Sequence, residues 1–304
     1  MANTSMIKNN SVEKFVERFG FEKCVFDLLK FIEKDNEKVK NTLIKKYLGE
    51  SLSAEAEEEM IEYFVNNSIF SSATIANPAT SVVTELLYKR PEVSHPIDKY
   101  FLASKSGKAI YSRLNCVEKN LHLLIEEYLK KKSDVLINNF GGGLSRDTID
   151  VFSKYYQDNE NIKAISIDRD SSAVKRGKRL AIINGVTDKT EFLEVNIMKY
   201  NPEEKFDIVL VVGVLCGMPP ETCTMILKNI KGLLGEGGCV VASNASPKML
   251  EEDSFTYFIM ENILNWKLIF KDEKLLKDIF QKAGLKWQRS FADEYGFHNM
   301  GIGN

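Results

Sequence analysis

The chain contains 304 residues, of which 44% are hydrophobic and 28% are charged, the composition of a globular protein with one large or two modest domains. Its 41 Lys and Arg residues nearly balance its 43 Asp and Glu residues, which argues against charge-driven binding to nucleic acid or membrane surfaces. Residues 1–10 are polar and no segment reaches the ~18 apolar residues of a membrane span, so we expect a cytoplasmic protein without membrane contact.

Residues 11–102 follow a helical pattern. Apolar residues recur there at spacings of three and four, and glycine or proline separates the amphipathic runs 39–48, 54–66 and 80–88. The pattern predicts an all-helical domain over residues 1–105. We expect this domain to act as a lid over a neighbouring site or as a dimerisation module, and the second role would make the protein a homodimer.

A long helix, predicted over residues 108–131, connects this domain to a region with a different pattern, so that residues 106–304 form a second domain. After Ser133, short apolar segments alternate with amphipathic helices, which indicates a parallel sheet covered by helices. The last two apolar segments are joined by a short turn and should pair antiparallel. The predicted strands are 135–139, 164–168, 191–195, 207–212, 239–243, 286–291 and 297–301, and the predicted helices are 145–156, 171–184, 221–234 and 273–283.

The first strand leads into Gly141, Gly142 and Gly143, which we call the glycine corner, and then into a helix. Glycines let a ligand approach the backbone closely, and a helix N-terminus offers unpaired N–H groups. The second strand ends at Asp168, where a carboxylate can accept both hydroxyl groups of a ribose. This order predicts a nucleoside-binding site, although a steric turn and a helix-capping acid would produce the same residues.

Two further strand ends converge on the same edge of the sheet. Asn196 and Ile197 follow the third strand, and they offer an amide for the edge of an adenine and an aliphatic side chain for its face. Gly213 follows the fourth strand and leaves space for the reactive end of a cofactor. These positions extend the predicted site across four strands.

From about residue 108 to its end, the chain resembles a class I S-adenosylmethionine-dependent methyltransferase. It departs from the family pattern at Asn139, in place of the first glycine of the usual run, and at Asn196, in place of a common aspartate. The acid that the family often carries in the first strand is Ile137 or Asn138 here. The segments that carry the resemblance are 134–143, 165–168, 192–196, 212–221 and 233–238.

The resemblance implies an α/β fold with a Rossmann-like, mostly parallel seven-stranded sheet and an antiparallel C-terminal hairpin, together with the N-terminal helical domain. It implies S-adenosylmethionine as the cofactor and a small molecule as the methyl acceptor, and no metal. Together with the strand ends, it gives a cofactor-binding set of Asn139, Gly141, Gly143, Asp168, Arg169, Asn196, Ile197, Gly213 and Arg113.

Methyl transfer requires an aligned acceptor, and it requires a general base only where the acceptor must lose a proton. Tyr111 on the long helix and His298 and Glu294 in the final hairpin are the catalytic candidates. Arg113 is expected to bind either the cofactor carboxylate or an acidic acceptor. The structural alternatives are helix packing for Tyr111 and Arg113 and a backbone hydrogen bond for His298.

Other functions fit parts of the sequence. The same cofactor could donate an aminobutyl or aminopropyl arm, as in enzymes similar to nicotianamine synthase, or the chain could be a non-catalytic binding partner. A nicotinamide-dependent oxidoreductase fits less well because Arg146 occupies the third glycine position of the dinucleotide motif. The aromatic insertion 244–271 could line an acceptor pocket or pack against either domain. The five cysteines lack metal-binding spacing and are predicted to be reduced.

Overall fold

A computed structural model describes residues 11–77 and 80–304, which form two units that are each discontinuous in sequence. The helical unit contains residues 11–77, 89–108 and 250–267, and the sheet unit contains residues 80–88, 109–249 and 268–304. A single boundary after residue 105 would assign three segments differently, 80–88, 106–108 and 250–267. None of the helices in the described residues combines the length and the apolar character needed to cross a bilayer.

Capping side chains determine where several helices begin. Ser11, Asn36, Ser53 and Ser68 each accept a hydrogen bond from the backbone N–H three residues later, which satisfies a donor that the first helical turn leaves unpaired. In chain order the helices are α1 (Val12–Phe19), α2 (Lys23–Asp35), α3 (Glu37–Tyr47), α4 (Ala54–Asn67), α5 (Ile69–Ala76), α6 (Ser81–Lys89), α7 (Pro96–Ala103), α8 (Lys105–Leu129), α9 (Arg146–Tyr155), α10 (Ser171–Ile183), α11 (Pro220–Lys231), α12 (Lys248–Glu252), α13 (Ser254–Asn262) and α14 (Glu273–Lys282).

The insertion after the fifth strand supplies α13 to the helical unit. Phe255 is fully buried, and its ring centroid lies 5.2 Å from that of Phe21 and 5.4 Å from that of Tyr47. The Asp253 carboxylate accepts hydrogen bonds from the backbone N–H of Ser106 at 2.8 Å and from its hydroxyl at 2.6 Å. Of the two roles predicted for this aromatic segment, packing within the helical unit accounts for Phe255.

The sheet unit contains seven strands in the spatial order β3-β2-β1-β4-β5-β7-β6. Neighbouring strands from β3 to β5 are parallel, and β7 pairs antiparallel with both β5 and β6. The predicted mostly parallel sheet with an antiparallel C-terminal hairpin is therefore confirmed. The strands are β1 (Val135–Phe140), β2 (Ile162–Asp168), β3 (Thr190–Glu194), β4 (Phe206–Val211), β5 (Leu234–Ala245), β6 (Trp287–Ala292) and β7 (His298–Gly303).

Helices cover both faces of this sheet. One apolar cluster joins the strands to residues of α8, α9 and α10, and a second joins them to residues of α11 and α14. Because apolar surface is buried on both faces, the strands are nearly continuous hydrophobic runs, as is typical of parallel sheets. Only the ends of the strands are left to present polar groups to a ligand.

The start of β5 lies earlier than the sequence pattern predicts. The strand was expected over residues 239–243, but it begins at Leu234. Gly235, Gly237 and Gly238 interrupt the apolar pattern there, and a side chain at Gly238 would come within 2.7 Å of the Phe206 carbonyl oxygen. Close backbone packing against β4 thus requires glycine at position 238, and the run of glycines conceals this part of the strand in the sequence.

Candidate functional site

The strand order reverses between β1 and β4, so the connections after these two strands leave the sheet in opposite directions. Such a reversal opens a crevice at the carboxyl ends of the two strands, which is where open α/β sheets bind ligands. The glycine corner follows β1, and Gly213 follows β4. The predicted site therefore lies at this crevice.

The glycine corner, which we also call the cradle, leaves no space for side chains at Gly141 and Gly143. Gly141 has a φ of 68° and Gly143 a φ of 57°, conformations that residues with a Cβ rarely adopt. A Cβ atom at Gly141 would lie 2.7 Å from Val214 Cγ2, and one at Gly143 would lie 2.8 Å from Ser81 Cβ. Glycine is therefore required at both positions, by the left-handed backbone and by the close contacts with Val214 and Ser81.

The N–H groups of the glycine corner are already paired within the protein. Those of Gly141 and Gly142 donate to the Ile167 carbonyl oxygen at 2.9 and 3.1 Å, and that of Gly143 donates to Asp168 Oδ2 at 2.8 Å. β2 thus takes up the N–H donors of all three glycines, and they are not available to a ligand in this structure. The corner can support a ligand by close contact and through its carbonyl groups.

Asp168 is half-buried at the end of β2, where it joins two segments of the site. Besides the bond from Gly143, its Oδ1 accepts the backbone N–H of Asp170 at 2.9 Å. Each carboxylate oxygen has a second lone pair, so the side chain can still accept two hydroxyl groups. Arg169, the next residue, is exposed. The acid is therefore held in a fixed orientation at the edge of the crevice.

Asn139 fixes the start of α9. Its Nδ2 donates to Asp147 Oδ1 at 2.7 Å and to Thr148 Oγ1 at 3.2 Å, and its Oδ1 is buried with no partner among the described residues. Burial raises the pKa of Asp147, against the lowering effect of its hydrogen bonds to Thr148 and Asn139. Asn139 thus holds the first turn of α9 in place next to the glycine corner, which is a structural role.

The ends of β3 and β4 contribute Asn196, Ile197 and Gly213 to the predicted site. Asn196 is exposed, and its Oδ1 accepts the backbone N–H of Met198 at 2.9 Å, while the side chain of Ile197 is partly buried. Gly213 has a φ of 79°, and its N–H donates to Ser243 Oγ at 2.9 Å. The two ends therefore provide an exposed amide and an open backbone position.

Arg113 of α8 lies against the end of β4. Its Nη1 and Nη2 atoms are 3.6 and 3.8 Å from the position that a Cβ atom of Gly213 would take. Nη2 donates to the hydroxyl group of Tyr88, on α6, at 2.7 Å. The side chain is only 5% exposed, and Nε has no partner among the described residues. A buried cation at this position is suited to binding an anion.

The three catalytic candidates have very different surroundings. His298 is buried, and its Nδ1 lies 3.3 Å from Oδ2 of Asp293, a carboxylate that also accepts the His298 backbone N–H at 2.6 Å. Glu294 is exposed, and its backbone N–H donates to Ser112 Oγ at 2.9 Å. Tyr111 is 37% exposed. The buried Asp293 carboxylate thus fixes the ring of His298.

We expect His298 to make the protein less stable in mild acid. Burial lowers its pKa below the ordinary value of 6.5, and the charge of Arg113 adds to this effect, while the hydrogen bond to Asp293 opposes it. Below about pH 6.5 the unfolded chain therefore binds a proton that the folded protein excludes, and stability falls as the pH decreases. The contribution approaches about 1.4 kcal/mol per pH unit.

Chemical denaturation of the wild type and of His298→Asn at several values between pH 7.5 and 5 measures this effect. The variant is expected to lose less unfolding free energy over that range. Equal pH slopes for the two proteins would show that the titration of this residue is not coupled to folding.

Sequence reasoning missed Ser81, Tyr88, Val214 and Asp293. A signal was present for the first two, because Ser81, Glu85 and Tyr88 have the i, i+4, i+7 spacing of one helix face. Glu85 forms an ion pair with Arg176 Nε at 3.3 Å. This face of α6 therefore contacts the glycine corner, α10 and α8.

A family model described as a methyltransferase domain matches residues 130–284, just over half of the chain. No curated protein matches the chain. A possible exported protein from Bordetella parapertussis has a similar structure, with a TM-score of 0.71 over 99% of both chains at 12% identity.

Two solved methyltransferases also share the fold. Magnesium protoporphyrin IX methyltransferase from Synechocystis PCC 6803, with bound S-adenosylhomocysteine, has a TM-score of 0.53 at 12% identity, covering 81% of this chain and 98% of that one. The S-adenosylmethionine-dependent methyltransferase SibL has a TM-score of 0.52 at 15% identity, covering 97% of this chain and 77% of that one. At such identities the likeness concerns the fold.

Proposed function

The chain belongs to the methyltransferase domain family, and on this premise we propose that it uses S-adenosylmethionine to methylate a small molecule at the carboxyl ends of β1 and β4. The observation that carries this proposal is the direct bond between the glycine corner and Asp168. A nucleoside lying across this edge would meet the backbone and the acid as one preorganised surface.

The residues present fit the cofactor. The cradle at Gly141 and Gly143 has no room for side chains, Asp168 has acceptor capacity for a ribose, and the buried Nε of Arg113 has no partner among the described residues. Asn196 and Ile197 would bind the adenine, while Gly213 would leave room for the reactive end. Asn139 would hold the corner in place, and exposed Arg169 would flank the ribose.

When bound, S-adenosylmethionine supplies a methyl group that is activated by the positive charge on sulfur. The chain must hold the acceptor in line with that group and exclude water. Where the acceptor carries a proton, His298 is the best placed of the candidates to remove it, because burial keeps the imidazole neutral and Asp293 fixes Nδ1. Tyr111 and Glu294, which are both exposed, would act at the rim of the site.

Binding and turnover are tested separately. Isothermal titration of the purified protein with S-adenosylmethionine and S-adenosylhomocysteine should show binding of both, and incubation with a metabolite panel and methyl-labelled cofactor should release S-adenosylhomocysteine with a labelled product. Release of methylthioadenosine would instead identify the transfer of an aminobutyl or aminopropyl arm. Failure to bind either compound at millimolar concentration contradicts the proposal. A cytoplasmic location and a homodimer formed through the helical unit stay predictions.

A further inference from the structure

In the part of the chain that the structure describes, Arg113 is a buried cation without an acidic partner. Among the described residues, no carboxylate lies within 4.0 Å of its guanidinium group, and its one hydrogen bond is the 2.7 Å bond to the Tyr88 hydroxyl. Nε is buried and unpaired in the described part of the chain. Buried charges in proteins are normally paired, because an isolated ion loses its hydration without compensation. This guanidinium is therefore built to receive an anion.

The position of the group restricts which anion it can meet. Arg113 Nη1 lies 3.6 Å from the position that a Cβ atom of Gly213 would take, at the end of β4, and Gly213 itself is exposed. Tyr88 is held there by α6, whose Glu85 pairs with Arg176 and whose Ser81 lies against Gly143. The Tyr88 oxygen accepts from Arg113, so its O–H is still able to donate. Helices α8 and α6 thus place the hydrogen-bond donors of Arg113 and Tyr88 beside the end of β4, at the crevice.

We propose that Arg113 and Tyr88 form a subsite for a carboxylate group. The planar guanidinium offers parallel N–H donors that match the two oxygens of a carboxylate, and the Tyr88 hydroxyl adds a third donor. The inference rests on the proposed function, because the cofactor brings a second positive charge to the crevice. A carboxylate between the sulfonium and Arg113 offsets the repulsion between these cations.

The carboxylate has two sources, the amino-acid part of the cofactor and an acidic acceptor. The N–H groups of the glycine corner are taken up by Ile167 and Asp168, so a carboxylate from either source needs donors elsewhere. The two sources are separable with nucleosides that differ only in the amino-acid part. S-adenosylhomocysteine carries the carboxylate, whereas methylthioadenosine lacks the entire amino-acid part.

The first arm measures both nucleosides by isothermal titration with wild type, Arg113→Met and Tyr88→Phe. If the cofactor supplies the carboxylate, Arg113→Met weakens S-adenosylhomocysteine by at least ~10-fold and leaves methylthioadenosine unchanged. Tyr88→Phe is expected to weaken it by a smaller factor, and this milder variant keeps the test valid if Arg113→Met does not fold. Arg179→Met, at an exposed arginine of α10, is the matched control.

The second arm measures thermal unfolding of the proteins saturated with S-adenosylhomocysteine, in sodium acetate and in sodium chloride at equal concentration. If the acceptor supplies the carboxylate, acetate raises the Tm of the wild type more than chloride does, and Arg113→Met loses that difference. The inference is overturned if both variants bind both nucleosides like the wild type and acetate acts like chloride on every protein. A wild type that binds neither nucleoside overturns the proposed function instead.

Discussion

Replacement of Asp168 by alanine is expected to weaken S-adenosylmethionine binding by about 3 kcal/mol, roughly a hundredfold or more in Kd. The variant loses the charged acceptor proposed for the ribose hydroxyls. It also releases the Gly143 N–H, which donates to Oδ2 at 2.8 Å, and so loosens the glycine corner. Isothermal titration with S-adenosylmethionine measures the effect.

Two matched variants divide this effect into its parts. Asp168→Asn keeps an oxygen for the Gly143 N–H but removes the charge, so it should lose less affinity than alanine. Asp170→Ala removes a nearby acid that accepts the Ser172 N–H at 2.9 Å, so it should cost about 1 kcal/mol of stability with little change in affinity. Unchanged affinity in Asp168→Ala would contradict the assignment of this residue to the ribose.

Replacement of Gly143 by valine should also reduce cofactor affinity by roughly a hundredfold, while the protein stays folded with about 2 kcal/mol less unfolding free energy. The new Cβ would lie 2.8 Å from Ser81 Cβ and 3.1 Å from Ser81 Oγ, at a φ of 57°. The side chain would therefore clash with Ser81 and displace α6 or the glycine corner itself. Denaturation curves and isothermal titration measure the two effects separately.

Gly237→Val is the matched control for this substitution. Gly237 has a φ of 71°, but a Cβ atom there would have no neighbour within 4 Å. The two variants thus share a similar backbone strain, and only one of them changes the site. If Gly237→Val loses as much cofactor affinity as Gly143→Val, the loss comes from global destabilisation and the cradle has no special role.

The sheet and the part of the site formed by the glycine corner and Asp168 were predictable because short stretches of sequence indicate them. The run from β1 through the glycine corner to Asp168 carries its own order of strand, turn and acid, and the structure joins these parts by a hydrogen bond. The antiparallel pairing of β6 and β7 followed from a turn too short for a helix. In such stretches the pattern along the chain and the packing of the fold agree.

Other parts of the site depend on contacts between distant residues. Nothing in the local pattern around Tyr88 indicates that its hydroxyl accepts a bond from Arg113, because that contact exists only once α6 packs beside α8. The sequence offered Arg113 as an anion-binding residue, but it could not indicate that the guanidinium is 5% exposed and largely unpaired. Burial of a charge is a property of the assembled fold, so it is invisible in the periodicity of one helix.

The discontinuous units restrict how this protein could be truncated or recombined with a relative. A fragment that starts at residue 106 would lack Ser81, Glu85 and Tyr88 but would retain residues 250–267. Phe255 is fully buried against Phe21 and Tyr47 in the whole chain. In the fragment it would lose these aromatic neighbours, and the exposed hydrophobic surface would favour aggregation. Exchange of one half of the gene between homologues would bring together surfaces that did not evolve side by side.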